Sequence, residues 1–277
     1  MEPLSYEQRG YLNEDFRLFH LAERDLGQIA YHYHTFHKII FLLAGRTGYA
    51  VEGERYALQP GDFVLVGRGS IHRPEPEAGT FYERMILYIS PEFLSRISTP
   101  DCDLNSCFSR AQTDFRYVYR SGLNDRLKPL LQQLEQSLSD TDFGADLLRT
   151  AIFVQLMLEI SRTAIRSQSI SASFGDAKIV SILQYLNLHL AEPLSIDELA
   201  ARFYISKFHM MRRFREETGY TVHSYMAEKR LLLARQLLKE GKAVTEVCEQ
   251  VGYQDYSTFA RAYRKMFGNS PSADRLH

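Results

Sequence analysis

Two groups of side chains have the types and spacing for chemistry. Toward the C-terminus, Lys207, Phe208, Met211, Arg212 and Arg215 recur at helical spacing, and Thr258, Arg261, Arg264 and Lys265 repeat the pattern further on. Cations on one helix face suit phosphates and guanine edges, while apolar groups among them suit thymine methyls. In the N-terminal half, His32, His34, Lys38, Tyr49, His72 and Arg73 combine imidazoles, a phenol and two cations. Such groups at the mouth of an apolar pocket would bind a polar small molecule, and Lys38 and Arg73 favour an anionic or multiply hydroxylated one.

The basic residues lie on a degenerate repeat. One copy runs from Leu194 to Gly219 and the other from Val244 to Gly268, with Met210 matching Phe259, Phe214 matching Tyr263 and Gly219 matching Gly268. Three anchors at one offset are repetition of a structural unit. In the first copy, Ser195 with Glu198 reads as a capping box, and the turn around Ser206 starts a second helix with Met210 and Phe214 inward. In the second, Val247 and Val251 close a short helix and Gly252 permits a turn. Asp255 or Ser257 then caps a helix carrying Phe259 and Tyr263 inward. Val222 to Lys239 reads as one linking helix. Two helix-turn-helix units so joined can set their second helices about one DNA turn apart.

Residues 178–277 resemble the DNA-binding domain of the AraC/XylS family of bacterial transcription regulators, through Gly252-Tyr253, Phe259 to Tyr263, Gly268, Pro271 and Arg275. Two positions depart from the family pattern: Cys248 replaces an alanine, and Asp274 replaces an aromatic residue, which is expected to loosen the tail. The resemblance implies base contacts from Phe208, Met211, Arg212, Tyr256, Thr258 and Arg261. It implies phosphate contacts from Lys207, Arg215, Lys229, Arg230, Arg264 and Lys265.

Upstream the pattern changes. Ile39–Leu43, Gly48–Val51, Arg55–Leu58 and Phe63–Val66 are short β-rich runs between turns such as Pro60-Gly61-Asp62, which predicts a small antiparallel barrel. Gly67 to His72 resembles the second cupin motif and His32-Tyr-His34 through Gly45 the first. A cupin-like jelly roll is the usual N-terminal domain of ligand-responsive AraC relatives. Metal-dependent cupins use His, His, Glu and a later His. That resemblance puts His32, His34 and His72 in the imidazole places but Lys38 where the carboxylate would be. A cation beside a divalent ion is unfavourable, so no metal or other cofactor is assigned. A metal-dependent enzyme would need His37, Glu75 or Glu83 as a substitute ligand.

The chain's 277 residues, 45% hydrophobic, exceed the common single-domain size. Of 33 Lys and Arg against 34 Asp and Glu, residues from Asp176 onward hold 15 against 12, leaving 18 against 22 upstream. That excess is modest, so the placement of the cations carries the case for DNA. Cys102, Cys107 and Cys248 are odd in number and scattered, as expected of packed thiols in a reducing compartment. The N-terminal residues lack a basic, apolar leader pattern and no run reaches membrane-spanning length, which predicts a cytoplasmic protein.

Between barrel and reader, 124–166 is expected to be helical, with a stripe of Leu127, Leu130, Leu131, Leu134 and Leu138 and then a longer helix through Leu147, Leu148, Ile152 and Leu156. These helices would pack on the barrel and serve dimerisation. The expected organisation is α+β and multidomain. A cupin-like sensing barrel spans 1–123, a helical pair 124–166, a linker 167–177, and an all-α double helix-turn-helix 178–277. Expected partners are duplex promoter DNA, a small-molecule effector, a second copy and RNA polymerase, with no membrane. The resemblance implies an activating regulator and not an enzyme. The alternatives are a ligand-independent regulator set by abundance or a protein partner, and a metal-dependent cupin enzyme carrying a DNA-binding domain.

Overall fold

The short β-rich runs of the N-terminal half fold as two antiparallel sheets. The computed structural model describes residues 10–24, 27, 29–77, 79–120, 126–166, 170 and 176–275. It divides into two compact units, Met1–Phe174 and Gly175–His277. In the first, β1 (Phe16–Arg24), β2 (His37–Ala44), β3 (Thr47–Val51), β4 (Glu54–Leu58), β5 (Asp62–Val66), β6 (His72–Pro76), β7 (Phe81–Ile89) and β8 (Val118–Arg120) are the strands. They form a larger sheet, β1-β7-β2-β5-β8, and a smaller one, β4-β3-β6. The four runs read from the sequence lie inside β2, β3, β4 and β5. Glu52 and Gly53, both at positive φ, make the two-residue turn between β3 and β4, the backbone hand that matches strand twist.

Register assigns each face of the larger sheet. Lys38 pairs with Tyr88, Ile40 with Ile86 and Leu42 with Arg84, so alternate residues of β2 and β7 share one face. The other face meets helices. His20 on β1 lies 2.9 Å from Glu83 on β7 and 2.8 Å from Glu135 on α3 (Leu127–Ser137). Phe16 stacks on Phe153 of α4 (Ala145–Arg166) at 4.4 Å. Leu127, Leu131, Leu134, Ile152, Phe153, Leu156, Met157 and Ile160 join the sheet's own core. Packing on the barrel is therefore the helical pair's structural role, while Leu138, Leu147 and Leu148 remain exposed. Two further helices, α1 (Pro91–Ile97) and α2 (Ser106–Thr113), lie between β7 and β8 within the stretch read as barrel. Residues 1–9, 124–125 and the expected linker, apart from Ile170 and 176–177, fall outside the described residues.

The second unit is helical: α5 (Ala177–Leu188), α6 (Ile196–Arg202), α7 (Lys207–Thr218), α8 (Val222–Lys239), α9 (Val244–Gln250), α10 (Tyr256–Phe267) and α11 (Pro271–Arg275). Side chains of Ser206 and Asp255 cap α7 and α10, and left-handed Gly219 and Gly268 end them, so both copies of the repeat start and stop alike. Ser195 accepts from the Glu198 N–H, and the reciprocal capping box is at Thr221 and Ser224, opening α8. Asp176 caps α5, whose buried Ile179, Ile182, Leu183 and Leu186 show the 3.6-residue stripe that announces such a helix. Among the described residues no helix is long and apolar enough to cross a membrane.

Asp274 corrects one expectation. It is buried, not a weak point of the tail: its Oδ2 accepts from the Tyr263 hydroxyl at 2.7 Å and from Arg235 Nε at 3.1 Å. An aromatic residue would fill that space with contacts, whereas the carboxylate fills it with a charge-assisted knot between α11, α10 and α8. Cys248 packs in the same core.

Candidate ligand cavity and DNA-reading helices

Between the two sheets lies a partly open cavity of about 220 Å³. Its floor is the shared face of β2 and β7, with Lys38, Ile40, Tyr82, Arg84, Ile86 and Tyr88. The smaller sheet contributes Tyr49 and Pro74, and the segment before β2 contributes His32 and His34. His72 completes the group: ligand atoms of His32, His34 and His72 lie within 4.8 Å of one another, and all three residues are buried. His32 Nδ1 donates to the Ala30 carbonyl and His72 Nδ1 to the Ser70 carbonyl, each at 2.9 Å. Those bonds fix the tautomers with the lone pair on Nε2.

Whether this triad suits a metal turns on Lys38. Its Nζ lies 3.4 Å from His72 Nε2, so the amine is aimed at the lone pair that a metal would take. Burial and the neighbouring imidazoles and lysine keep His72 well below the usual histidine range. Among the described residues no carboxylate replaces the missing ligand. Glu75 is held by Arg73, Glu83 pairs with His20, and His37 points to the other face. There His37 stacks on Phe108 at 4.0 Å, accepts from the Arg68 N–H, and is pushed down to about 3 by burial. The spacing of the imidazoles would fit an ion; the charge beside them does not.

Burial and the nearby Arg84 lower Lys38 to about 7. Arg84 donates from Nη2 to Glu23 at 2.8 Å and lies over the Tyr82 ring. The cavity thus gathers His32, His34, Lys38 and Tyr49 with His72 behind them, as the sequence suggests, but not Arg73. Arg73 is bound to Glu75 at 2.6 Å and stacked on Tyr31. Arg84, Tyr82 and Tyr88 are the lining residues that sequence reading missed. Their signal is the i, i+2 alternation along β7, legible only once β7 is known to pair with β2.

In the second unit, the outward faces of α7 and α10 carry the residues expected there. Lys207, Phe208, Met211, Arg212 and Arg215 on α7 are exposed, as are Tyr256, Thr258, Arg261, Arg264 and Lys265 on α10. Met210, Phe214, Phe259 and Tyr263 are buried behind them. Phe208 is 84% exposed, a large aromatic surface with nothing from its own fold to cover it. Arg213, inward of this face, ties α7 to Asp176 at 3.1 Å.

The profile of the AraC-like ligand binding domain matches residues 19–157, half of the chain, and that of a helix-turn-helix domain matches 199–276. The chain belongs to the AraC family. It is a DNA-binding transcription regulator with a cupin-like ligand-binding domain. Among its relatives, the HTH-type transcriptional activator RhaS of Klebsiella pneumoniae (strain 342) is 25% identical over 244 residues, 87% of this chain and 85% of that protein. RhaS of Citrobacter koseri is 26% identical over 246 residues, with the same shares. A probable AraC family regulator from Rhodopseudomonas palustris CGA009 is 28% identical over 36% of this chain and 96% of that one, with a TM-score of 0.34. ToxT from Vibrio cholerae is 11% identical over 95% of this chain and 98% of that one, with a TM-score of 0.38.

Two cations of this AraC-type reader stand apart from the exposed set. Lys229 is half-buried on α8 with its ammonium 5.5 Å from the centre of the Tyr225 ring. Arg230 is turned inward. Its guanidinium donates to the carbonyls of Leu190 at 2.6 Å, Glu192 at 2.7 Å and Gly252 at 3.2 Å. Gly252 belongs to the same junction, since a Cβ there would lie 2.4 Å from the Ala191 carbonyl oxygen. The loop after α5 and the turn after α9 therefore meet at backbone distance, clamped by one arginine.

Glu228, also on α8, is pushed up to about 7 by burial. The unfolded chain ionises this group near 4.5, so the folded form holds more protons between that value and about 7. Its contribution to stability is full at the acid end and is lost as pH rises through 7. Unfolding of the reader measured from about pH 5 to 7.5 should lose on the order of 2 kcal/mol from this group, and Glu228→Gln should flatten that slope.

Proposed function

We propose that this regulator reads promoter DNA with the exposed faces of α7 and α10 and that a small polar effector in the cavity biases that reading. The observation that carries the proposal is the pair of equivalent helices, each capped and ended alike, presenting Arg212 and Arg261 outward beside aromatic or apolar groups. Phe208, Met211, Arg212, Tyr256, Thr258 and Arg261 contact base edges. Lys207, Arg215, Arg264 and Lys265 contact phosphates, with Lys229 at the margin. An arginine can bond guanine O6 and N7 together, so guanines are read at these two positions. RhaS is an activator by name, and activation with RNA polymerase is proposed here too. The exposed Leu147 and Leu148 on α4 support dimerisation through that helix. The protein acts in the cytoplasm and is not catalytic.

Fluorescence anisotropy with the gene's own upstream DNA, against random duplex as competitor, tests the assignment. Arg212→Ala and Arg261→Ala should each cost about 1–3 kcal/mol on the specific site and relax preference at one base position. Lys265→Ala should weaken specific and random DNA alike and lower the salt slope by about 1. Equal losses on both DNAs for all three variants would refute the division of labour.

A further inference from the structure

We propose that the cavity takes a small monocarboxylic acid of monosaccharide size, its carboxylate seated between Lys38 and Arg84 and its hydroxyls facing Tyr49 and Tyr88, without a metal ion. The inference rests on reading the cavity as the effector site. Both cations are about nineteen-twentieths buried, at 6% exposure each, and strand pairing places them on one face. Arg84 Nη1 and the Tyr49 hydroxyl are buried without a hydrogen-bond partner among the described residues. Lys38 has His72 and the Tyr88 ring beside it and, among the described residues, no carboxylate bonded to it. Among the described residues the carboxylate at this pair is Glu23, which takes a single Arg84 nitrogen. With Lys38 protonated the cavity is short of one negative charge, and a buried cation without its counter-charge is costly.

A ligand carboxylate supplies that charge, bonds Nη1, and turns the Lys38 amine into a charge-assisted donor. A neutral sugar supplies neither. A dianion such as a phosphate monoester brings more charge than the cavity lacks. The volume of about 220 Å³ holds roughly seven waters at about 30 Å³ each, enough for a six-carbon hydroxy acid. Ile40 and Ile86 give it an apolar floor. Lys38 also takes over the role of an ion: its ammonium is the positive charge beside His72, so loading with a divalent cation should compete with the acid rather than support it.

The full-length protein, cleared of metal with a chelator, is titrated calorimetrically with D-gluconate, D-glucuronate, D-glucose and glucose 6-phosphate, then repeated with zinc sulfate present. Binding by at least one of the two acids, at least about tenfold tighter than glucose and glucose 6-phosphate, is the expected result. Lys38→Met should lose about tenfold or more, and Arg84→Gln likewise, with the unfolding temperature of each variant recorded to show a folded protein. Glucose binding as well as the acids, neither acid binding, acid binding unmoved in folded Lys38→Met, or acid binding only with zinc would each overturn the proposal. Anisotropy on the upstream DNA separates the two readings. An acid that binds but leaves DNA binding unchanged removes the effector role and keeps the acid site, whereas glucose alone altering DNA binding removes the acid site and keeps the effector role.

Discussion

Arg230→Ala should destabilise the DNA-binding unit by on the order of 3 kcal/mol, seen as a fall in its unfolding temperature, before any loss in DNA affinity is considered. The guanidinium spreads three donors over the carbonyls of Leu190, Glu192 and Gly252, which belong to two different loops. A hydrogen bond from a charged donor contributes about 1.5–3 kcal/mol, and truncation also strands its acceptors. The three bonds act as one unit, so their losses do not add in full. Arg230→Lys should recover little, because a single ammonium cannot reproduce the planar fork. The family resemblance implies a different role for Arg230, as a phosphate contact. In that case alanine would leave the unfolding temperature in place and lower the salt slope of DNA binding by about 1. The inward clamp predicts the opposite pair of results.

Asp274→Ala should cost about 2–3 kcal/mol, read from the urea midpoint of the same unit. The substitution takes the acceptor from the Tyr263 hydroxyl, deep in the second core, and the counter-charge from Arg235. Breaking one partner of a buried pair costs more than the pair contributes, because the remaining groups stay desolvated. Asp274→Asn keeps an acceptor for the phenol and should lose less than half as much. Asp274→Phe, which restores the residue type usual in the family, should not stabilise the protein, because Arg235 then lacks its carboxylate. If Asp274→Phe raised the midpoint, Asp274 would be the weak point that the sequence pattern alone suggests.

Both cases show where sequence reading stops. Asp274 was legible as a departure and its consequence was not, since that depends on Tyr263 and Arg235, which lie 11 and 39 residues away. Arg230 looked like any cation on an amphipathic helix, and its direction is set by two loops closing on it. In the cavity, His32, His34 and Lys38 were legible because they lie within seven residues of one another, and His72 because it resembles the second motif of a known pair. Arg84 was not, because a lone arginine in an apolar strand gives no sign of which face its neighbours will bury.

The sequence by itself determined the local periods and their punctuation. Among these are the short β-rich runs of β2 to β5, the 3.6-residue stripes of α7, α8 and α10, the cap at Ser206, a cap at Asp255 or Ser257, and the glycines that end each copy of the repeat. These follow from interactions within a few residues, so one chain carries them without knowledge of the rest. Which side chains share a cavity or a clamp was decided by tertiary structure alone. Pairing Leu42 with Arg84 sets a second buried cation near Lys38, and a register shifted by one residue would turn Arg84 to the helical layer instead. Strand pairing and loop approach join residues tens of positions apart through burial, which has no period along the chain.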